Sequence, residues 1–190
     1  MSNNLRFAVF ASGHGGNLQA IINAVKKKQI KSRLALIFSD KAEAYALARA
    51  KKSKIPTLCV SPKTFSSRED FDRVIVERLK AEQIDYVVLA GYMRLLSPYF
   101  IKQYADRIIN IHPSLLPAFK GTHAIKDAFE YGVKVTGVTV HFVVDEMDAG
   151  EIIAQEVVAV KPTDTLERLE KKIHAVEHKL YPSVLARLIR

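Results

Sequence analysis

The chain has 190 residues, 48% of them hydrophobic, and its 29 Lys and Arg against 20 Asp and Glu give a formal charge of +9. That length and apolar fraction suit one domain over residues 1–190 with a single good core, and no run approaches the roughly 20 apolar residues of a membrane span. The basic residues are scattered without interleaved aromatics, which argues against nucleic acid and leaves a general attraction for small anions; residues 1–6 lack the make-up of a secretion signal, and the lone Cys59 has no disulfide partner in the chain, so a cytoplasmic setting is expected.

Residues 6–11 read as a short buried strand, 17–27 as an amphipathic helix, 34–38 as a second strand, 42–51 as a second helix and 57–60 as a third strand, with Cys59 a small core hydrophobe. The cations Lys26 to Lys28, Lys31 and Arg33 cluster where the first helix ends and complement its dipole. A capping box of Ser66 and Glu69 opens the third helix, whose Phe71, Val74, Ile75 and Leu79 share a face. A strand over 85–90, a helix near 98–104, a strand over 107–111 and a helix over 124–131 follow. Strands over 135–144 and 151–160 flank an acidic loop. The last helix opens at Asp164, boxed by Glu167, and buries Leu166, Leu169, Ile173, Val176 and Leu180. The alternation predicts an α/β fold with a doubly wound, mostly parallel sheet and a strand-rich C-terminal portion.

Three segments carry residues that such a scaffold does not need. Ser12-Gly13-His14-Gly15-Gly16-Asn17-Leu18 joins the first strand to the first helix, where glycines let backbone N–H groups approach an anion at a helix N-terminus. Leu18 stands where a dinucleotide fingerprint has its third glycine, and no Gly-Lys-Ser/Thr follows, so a monophosphate or a plain turn fits better than a nucleotide di- or triphosphate. In Asn110-Ile111-His112-Pro113-Ser114-Leu115-Leu116-Pro117, period-two alternation puts Asn110 and His112 on one face at a strand's C-terminal end. There an amide can hold a carbonyl oxygen while an imidazole exchanges a proton; a hydrogen-bonded strand-end histidine is the plain alternative. The acidic loop gathers Asp145, Glu146 and Asp148; these are either solvated or aim one carboxylate at His112, which would favour the imidazolium.

Two other function classes also fit parts of the chain. His174-Ala175-Val176-Glu177-His178 matches the helical pattern of inverted zinc proteases, but none of the twelve residues after His178 is acidic. A module that only binds a phosphorylated metabolite accounts for the glycine loop and leaves Asn110, His112 and Asp148 without a purpose.

The string from Asn110 to Pro117 resembles the signature of the folate-dependent formyltransferases, and His141, Val143, Asp148 and Gly150 resemble that family's His-x-Val-x-x-x-x-Asp-x-Gly pattern. The resemblance extends through Gly91-Tyr92-Met93-Arg94-Leu95-Leu96 and over nearly the whole chain. It implies a formyltransferase-like fold in which Asn110, His112 and Asp148 are catalytic. It also implies that Gly15, Gly16 and Asn17 hold the substrate phosphate, that Glu177 contacts the acceptor, and that Arg68, Met93, Arg94, Leu95, Leu96 and Asn110 line a folate site. The co-substrate would be 10-formyltetrahydrofolate, with no metal, and the formyl group would pass to the amine of glycinamide ribonucleotide in purine biosynthesis. Among the acceptors used in that family, the glycine loop favours a small phosphorylated one. No tRNA-binding domain is expected after the last helix and no regulatory domain before the first strand. Arg68 also reads as an exposed first-turn residue. His14, where relatives carry Asn, has no assigned role, and His112 stays open between base and imidazolium.

Overall fold

The computed structural model describes residues 5–190. Strands β1 (Arg6–Phe10), β2 (Arg33–Ser39), β3 (Thr57–Cys59), β4 (Tyr86–Leu89), β5 (Ile108–His112), β6 (Val135–Phe142) and β7 (Ile152–Ala159) form one seven-stranded sheet in the order β3-β2-β1-β4-β5-β6-β7. They alternate with helices α1 (Gly16–Lys26), α2 (Tyr45–Lys52), α3 (Arg68–Ala81), α4 (Pro98–Gln103) and α5 (Ala124–Tyr131), and α6 (Leu166–Leu188) closes the chain. Pairing from β3 to β5 is parallel, and β6 and β7 add antiparallel.

The parallel strands are continuous apolar runs because helices cover both faces. Phe7, Val9, Ile109 and Ile111 pack towards α1 and α6, whereas Ala8, Phe10, Val87 and Ile108 pack towards α3 and α4. The chain winds outward from β1 through β2 to β3, then crosses back to β4. The connections after β1 and β4 therefore leave in opposite directions, and a crevice opens at the carboxyl ends of these strands, the usual ligand position in such sheets.

Tyr181 of α6 is fully buried, and its hydroxyl lies 2.9 Å from the carbonyl oxygens of both Leu89 and Ile109. The last helix is thereby tied to the carboxyl end of β4 and to the neighbouring β5.

The structure corrects several local expectations. Ser67, not Ser66, caps α3, its Oγ accepting from the Asp70 N–H at 3.0 Å. Glu69 instead pairs with Arg73 one turn on. The buried stripe of α3 takes in Val76 and leaves Val74 42% exposed, because packing against the sheet, rather than periodicity alone, selects the face. Thr165, not Asp164, caps α6 by accepting from the Arg168 N–H, while Asp164 accepts from the Lys161 N–H at 2.8 Å. In α6, Leu169 and Ile173 are buried, but Leu166, Val176 and Leu180 are only partly so. Cys59 is exposed: β3 is a three-residue edge strand whose alternation turns Leu58 inward and Cys59 out.

Candidate active site

The two diverging loops are knitted together before any ligand is considered. The Ser12 N–H donates to the Gly91 carbonyl at 3.0 Å. The buried Ser12 Oγ accepts from the Met93 N–H at 3.0 Å and donates to Asp40 Oδ1 at 2.6 Å. The glycine loop after β1 and the segment after β4 thus form one rigid floor.

At the glycine loop, Gly15 occupies the N-cap of α1 with φ 74° and makes no side-chain cap. A Cβ at Gly15 would sit 3.0 Å from Ala46 Cβ, and one at Gly16 would sit 2.9 Å from His178 Nε2, so both positions are closed to larger residues without movement. No acidic side chain occupies the first turn of α1, and the unpaired N–H groups and positive dipole end of such a turn favour an anion. Asn17 donates Nδ2–H to Glu177 Oε2 at 3.1 Å, and its buried Oδ1 has no hydrogen-bond partner among the described residues. Glu177, itself buried, also lies 2.8 Å from His174 Nδ1. That hydrogen bond raises the His174 pKa above the ordinary histidine value, whereas burial lowers that of His178. In the His-x-x-Glu-His pattern, then, Glu177 is engaged by Asn17 and His174. Among the described residues no three His, Cys, Asp or Glu side chains converge as metal ligands.

Arg49 on α2 braces the same loop. Its Nε–H donates to the His14 carbonyl at 2.9 Å, its Nη1–H to Gln19 Oε1 at 3.1 Å, and its guanidinium lies over the Tyr45 ring. The His14 ring stacks on Tyr45 and approaches Arg49 Nη2 at 3.2 Å, which gives His14 a place beside the loop. Arg49 carries no sequence signal, since it reads as an ordinary helix-surface residue until the helices pack, and His178 stood out in the sequence only as part of the His-x-x-Glu-His pattern. The cleft here has a volume of 1110 Å³ and also reaches Gly91 and Met93.

The second cleft, of 580 Å³, runs from that shared point past Asn110, His112 and Asp148. Asn110 and His112 project from the end of β5 on the face shared with Thr139 and His141, their antiparallel partners on β6. His112 is 5% exposed, and its Nε2 lies 2.8 Å from the Phe119 carbonyl. A carbonyl can only accept, so Nε2 bears a proton, and Nδ1 is the ring nitrogen turned towards Asp148. Asp148 Oδ2 stands 3.6 Å from that Nδ1, too long for a hydrogen bond but close for opposite charges, and it accepts the Gly121 N–H at 2.8 Å. Asp148 adopts φ 53°, a left-handed conformation that Asp tolerates better than most residues. Of the three carboxylates in the loop, only Asp148 turns inward: Glu146 pairs with Lys120 at 3.1 Å, and Asp145 is exposed. His141, 2% exposed, lies 3.2 Å from Asn110 Nδ2 and 3.8 Å from Asp148 Oδ1 through its Nε2.

The far wall of this cleft comes from the segment after β4. Met93 and Leu95 are 63% and 57% exposed, unusual for apolar side chains beside a cleft, while Leu96 is buried beneath them. Arg94 lies over the Phe71 ring, and Tyr92 packs edge-on against Phe10. Arg68 lines the cleft from the first turn of α3 and is also exposed, so both expectations for it describe the same position. Every residue to which the resemblance assigns a site role lies on one of two adjoining clefts: Gly15, Gly16, Asn17 and Glu177 on the first, Arg68, Arg94, Leu95, Leu96, Asn110, His112 and Asp148 on the second, and Met93 on both.

Known proteins resemble this chain along almost its whole length. Phosphoribosylglycinamide formyltransferase of Bacillus subtilis is 45% identical over 184 residues, covering 97% of this chain and 94% of that one. The enzyme of the same name from Escherichia coli is 42% identical over 182 residues, covering 96% and 86%. The crystal structure of phosphoribosylglycinamide formyltransferase from Bacillus halodurans superposes with a TM-score of 0.95 at 52% identity, over 97% of this chain and 95% of that one. A family model described as formyl transferase matches residues 5–185, and with relatives this similar over nearly their full lengths, the chain belongs to the formyl transferase family.

Proposed function

We propose that this protein transfers the formyl group of 10-formyltetrahydrofolate to the amine of glycinamide ribonucleotide, a step of purine biosynthesis, as a single catalytic unit. One observation carries the proposal: an anion-suited cleft at the N-terminus of α1 and an apolar cleft beside Asn110, His112 and Asp148 share Gly91 and Met93. A phosphorylated amine in the first and a formylated pterin in the second would meet at that boundary. The glycine loop and Asn17 would take the phosphate, Glu177 the acceptor, and Arg68 with residues Met93 to Leu96 the folate.

In the reaction the acceptor amine attacks the formyl carbon and pushes electrons onto its oxygen. An N–H of Asn110 directed there stabilises the oxyanion; such a donor contributes roughly 3 to 4 kcal/mol. The amine must then lose a proton and the departing folate nitrogen must gain one. His112 can exchange that proton through Nδ1, with Asp148 opposite it to stabilise the charged ring. No metal enters these steps, and a cytoplasmic setting belongs to the same proposal.

The deciding experiment mixes the pure protein with 10-formyltetrahydrofolate and glycinamide ribonucleotide, with water and methionyl-tRNA as alternative acceptors. Formylated ribonucleotide appearing in step with deformylated folate is the expected result. Folate hydrolysis without ribonucleotide product, or formylation of methionyl-tRNA alone, would refute it.

A further inference from the structure

We propose that His141 is a positioning residue that holds the Asn110 amide with one Nδ2–H free for the reacting oxygen, an inference that rests on the formyl-transfer proposal. His141 lies opposite Asn110 in the β5–β6 ladder, which fixes the separation of the two side chains. Its Nδ1 is 2.8 Å from the Phe142 carbonyl, so Nδ1 bears the proton. In the neutral ring Nε2 is then a bare acceptor, and Asn110 Nδ2 stands 3.2 Å from it. Only the amide nitrogen, not its oxygen, can satisfy that acceptor. One Nδ2–H is committed to His141, and the other is left to point along the cleft.

The reversed amide would place Oδ1 against Nε2 and require a second proton on the ring. His141 is buried, and burial lowers its pKa, which disfavours that imidazolium. The groups facing it are the Phe142 carbonyl and Asp148, with Oδ1 at 3.8 Å, which favour a proton, and His112, which opposes one; burial outweighs them. Replacing an amide that is free to rotate with one held at a single orientation matters because an oxyanion donor acts only when aimed before the charge develops.

The test compares His141→Phe, which keeps a ring but removes the acceptor, with His141→Gln, whose side-chain oxygen can reach the position of Nε2. Each is made in the wild-type and Asn110→Ala backgrounds. We expect His141→Phe to lower kcat by about 10- to 100-fold with both KM values within about twofold, and His141→Gln to recover most of that loss. In the Asn110→Ala background His141→Phe should cost less than about twofold, since the residue acts through Asn110. Near-wild-type kcat in His141→Phe, or the same loss in both backgrounds, would overturn the proposal. Nitrogen-15 spectra of labelled histidine give a readout independent of turnover. A bare Nε2 on His141, with Asn110 amide signals that shift in His141→Phe, is expected; a protonated Nε2 refutes the assignment even if the wild-type protein formylates no ribonucleotide.

Discussion

Asp148→Asn removes one charge while preserving shape, and the structure sets the size of its effect. The carboxylate lies 3.6 Å from His112 Nδ1, and both side chains are under 10% exposed. A unit charge at that distance interacts with an imidazolium by roughly 5 kcal/mol at an effective dielectric of about 20, and by about 1 kcal/mol if water fully screens it. The crevice is partly open, so the stabilisation of the charged ring falls between these limits, corresponding to a kcat loss of about 10- to 1,000-fold. Asparagine tolerates the left-handed φ of 53° and can still accept the Gly121 N–H, so the fold should survive with little change in Tm. Steady-state kcat and kcat/KM from about pH 5 to 9 would be measured for wild type, Asp148→Asn and His112→Ala, with fitted values treated as belonging to the coupled group. An Asp148→Asn protein with wild-type kcat and an unchanged pH profile would refute the coupling of Asp148 to His112.

Gly15→Ala should cost about 1 to 2 kcal/mol from the positive φ and press its Cβ against Ala46; we expect the acceptor KM to rise about tenfold with the folate KM unchanged, and a parallel rise in both would show that the loop does not serve one substrate. Tyr181→Phe removes the hydroxyl that faces the Leu89 and Ile109 carbonyls, and should destabilise by about 1 to 3 kcal/mol, lowering Tm by about 2 to 10 °C in calorimetry; an unchanged Tm would mean that these carbonyls do not depend on it. Because the Glu177 hydrogen bond raises the His174 pKa, the folded protein holds that proton more tightly than the unfolded chain. The stabilisation is complete below the unfolded histidine value of about 6.5 and fades as pH rises through the folded value. The urea midpoint of wild type should therefore exceed that of His174→Gln near pH 5.5, and the difference should shrink towards pH 8.5. A difference independent of pH would contradict this linkage.

The sequence alone determined the order of elements, because apolar periodicity and uninterrupted buried runs leave few alternatives for strands such as 6–11 and 107–111. It also determined that Asn110 and His112 share a strand face, since that follows from the period of two, and that the glycine loop opens a helix. Local chemistry did not choose between Ser66 and Ser67 as cap, or between Val74 and Val76 as core, because each pair is equivalent until α3 docks on the sheet. Cys59 turned outward for a similar reason: only the sheet order makes β3 an edge. The site depended most on tertiary structure. Asp148 lies 36 residues after His112, and which of three carboxylates turns inward is decided by the Gly121 N–H and the Lys120 ammonium, which draw Asp148 in and Glu146 out. Arg49 beside the glycine loop and His141 behind Asn110 are likewise contacts between distant segments. Periodicity records which face a residue occupies, but the partner it meets there is set only when separate elements pack around the crevice.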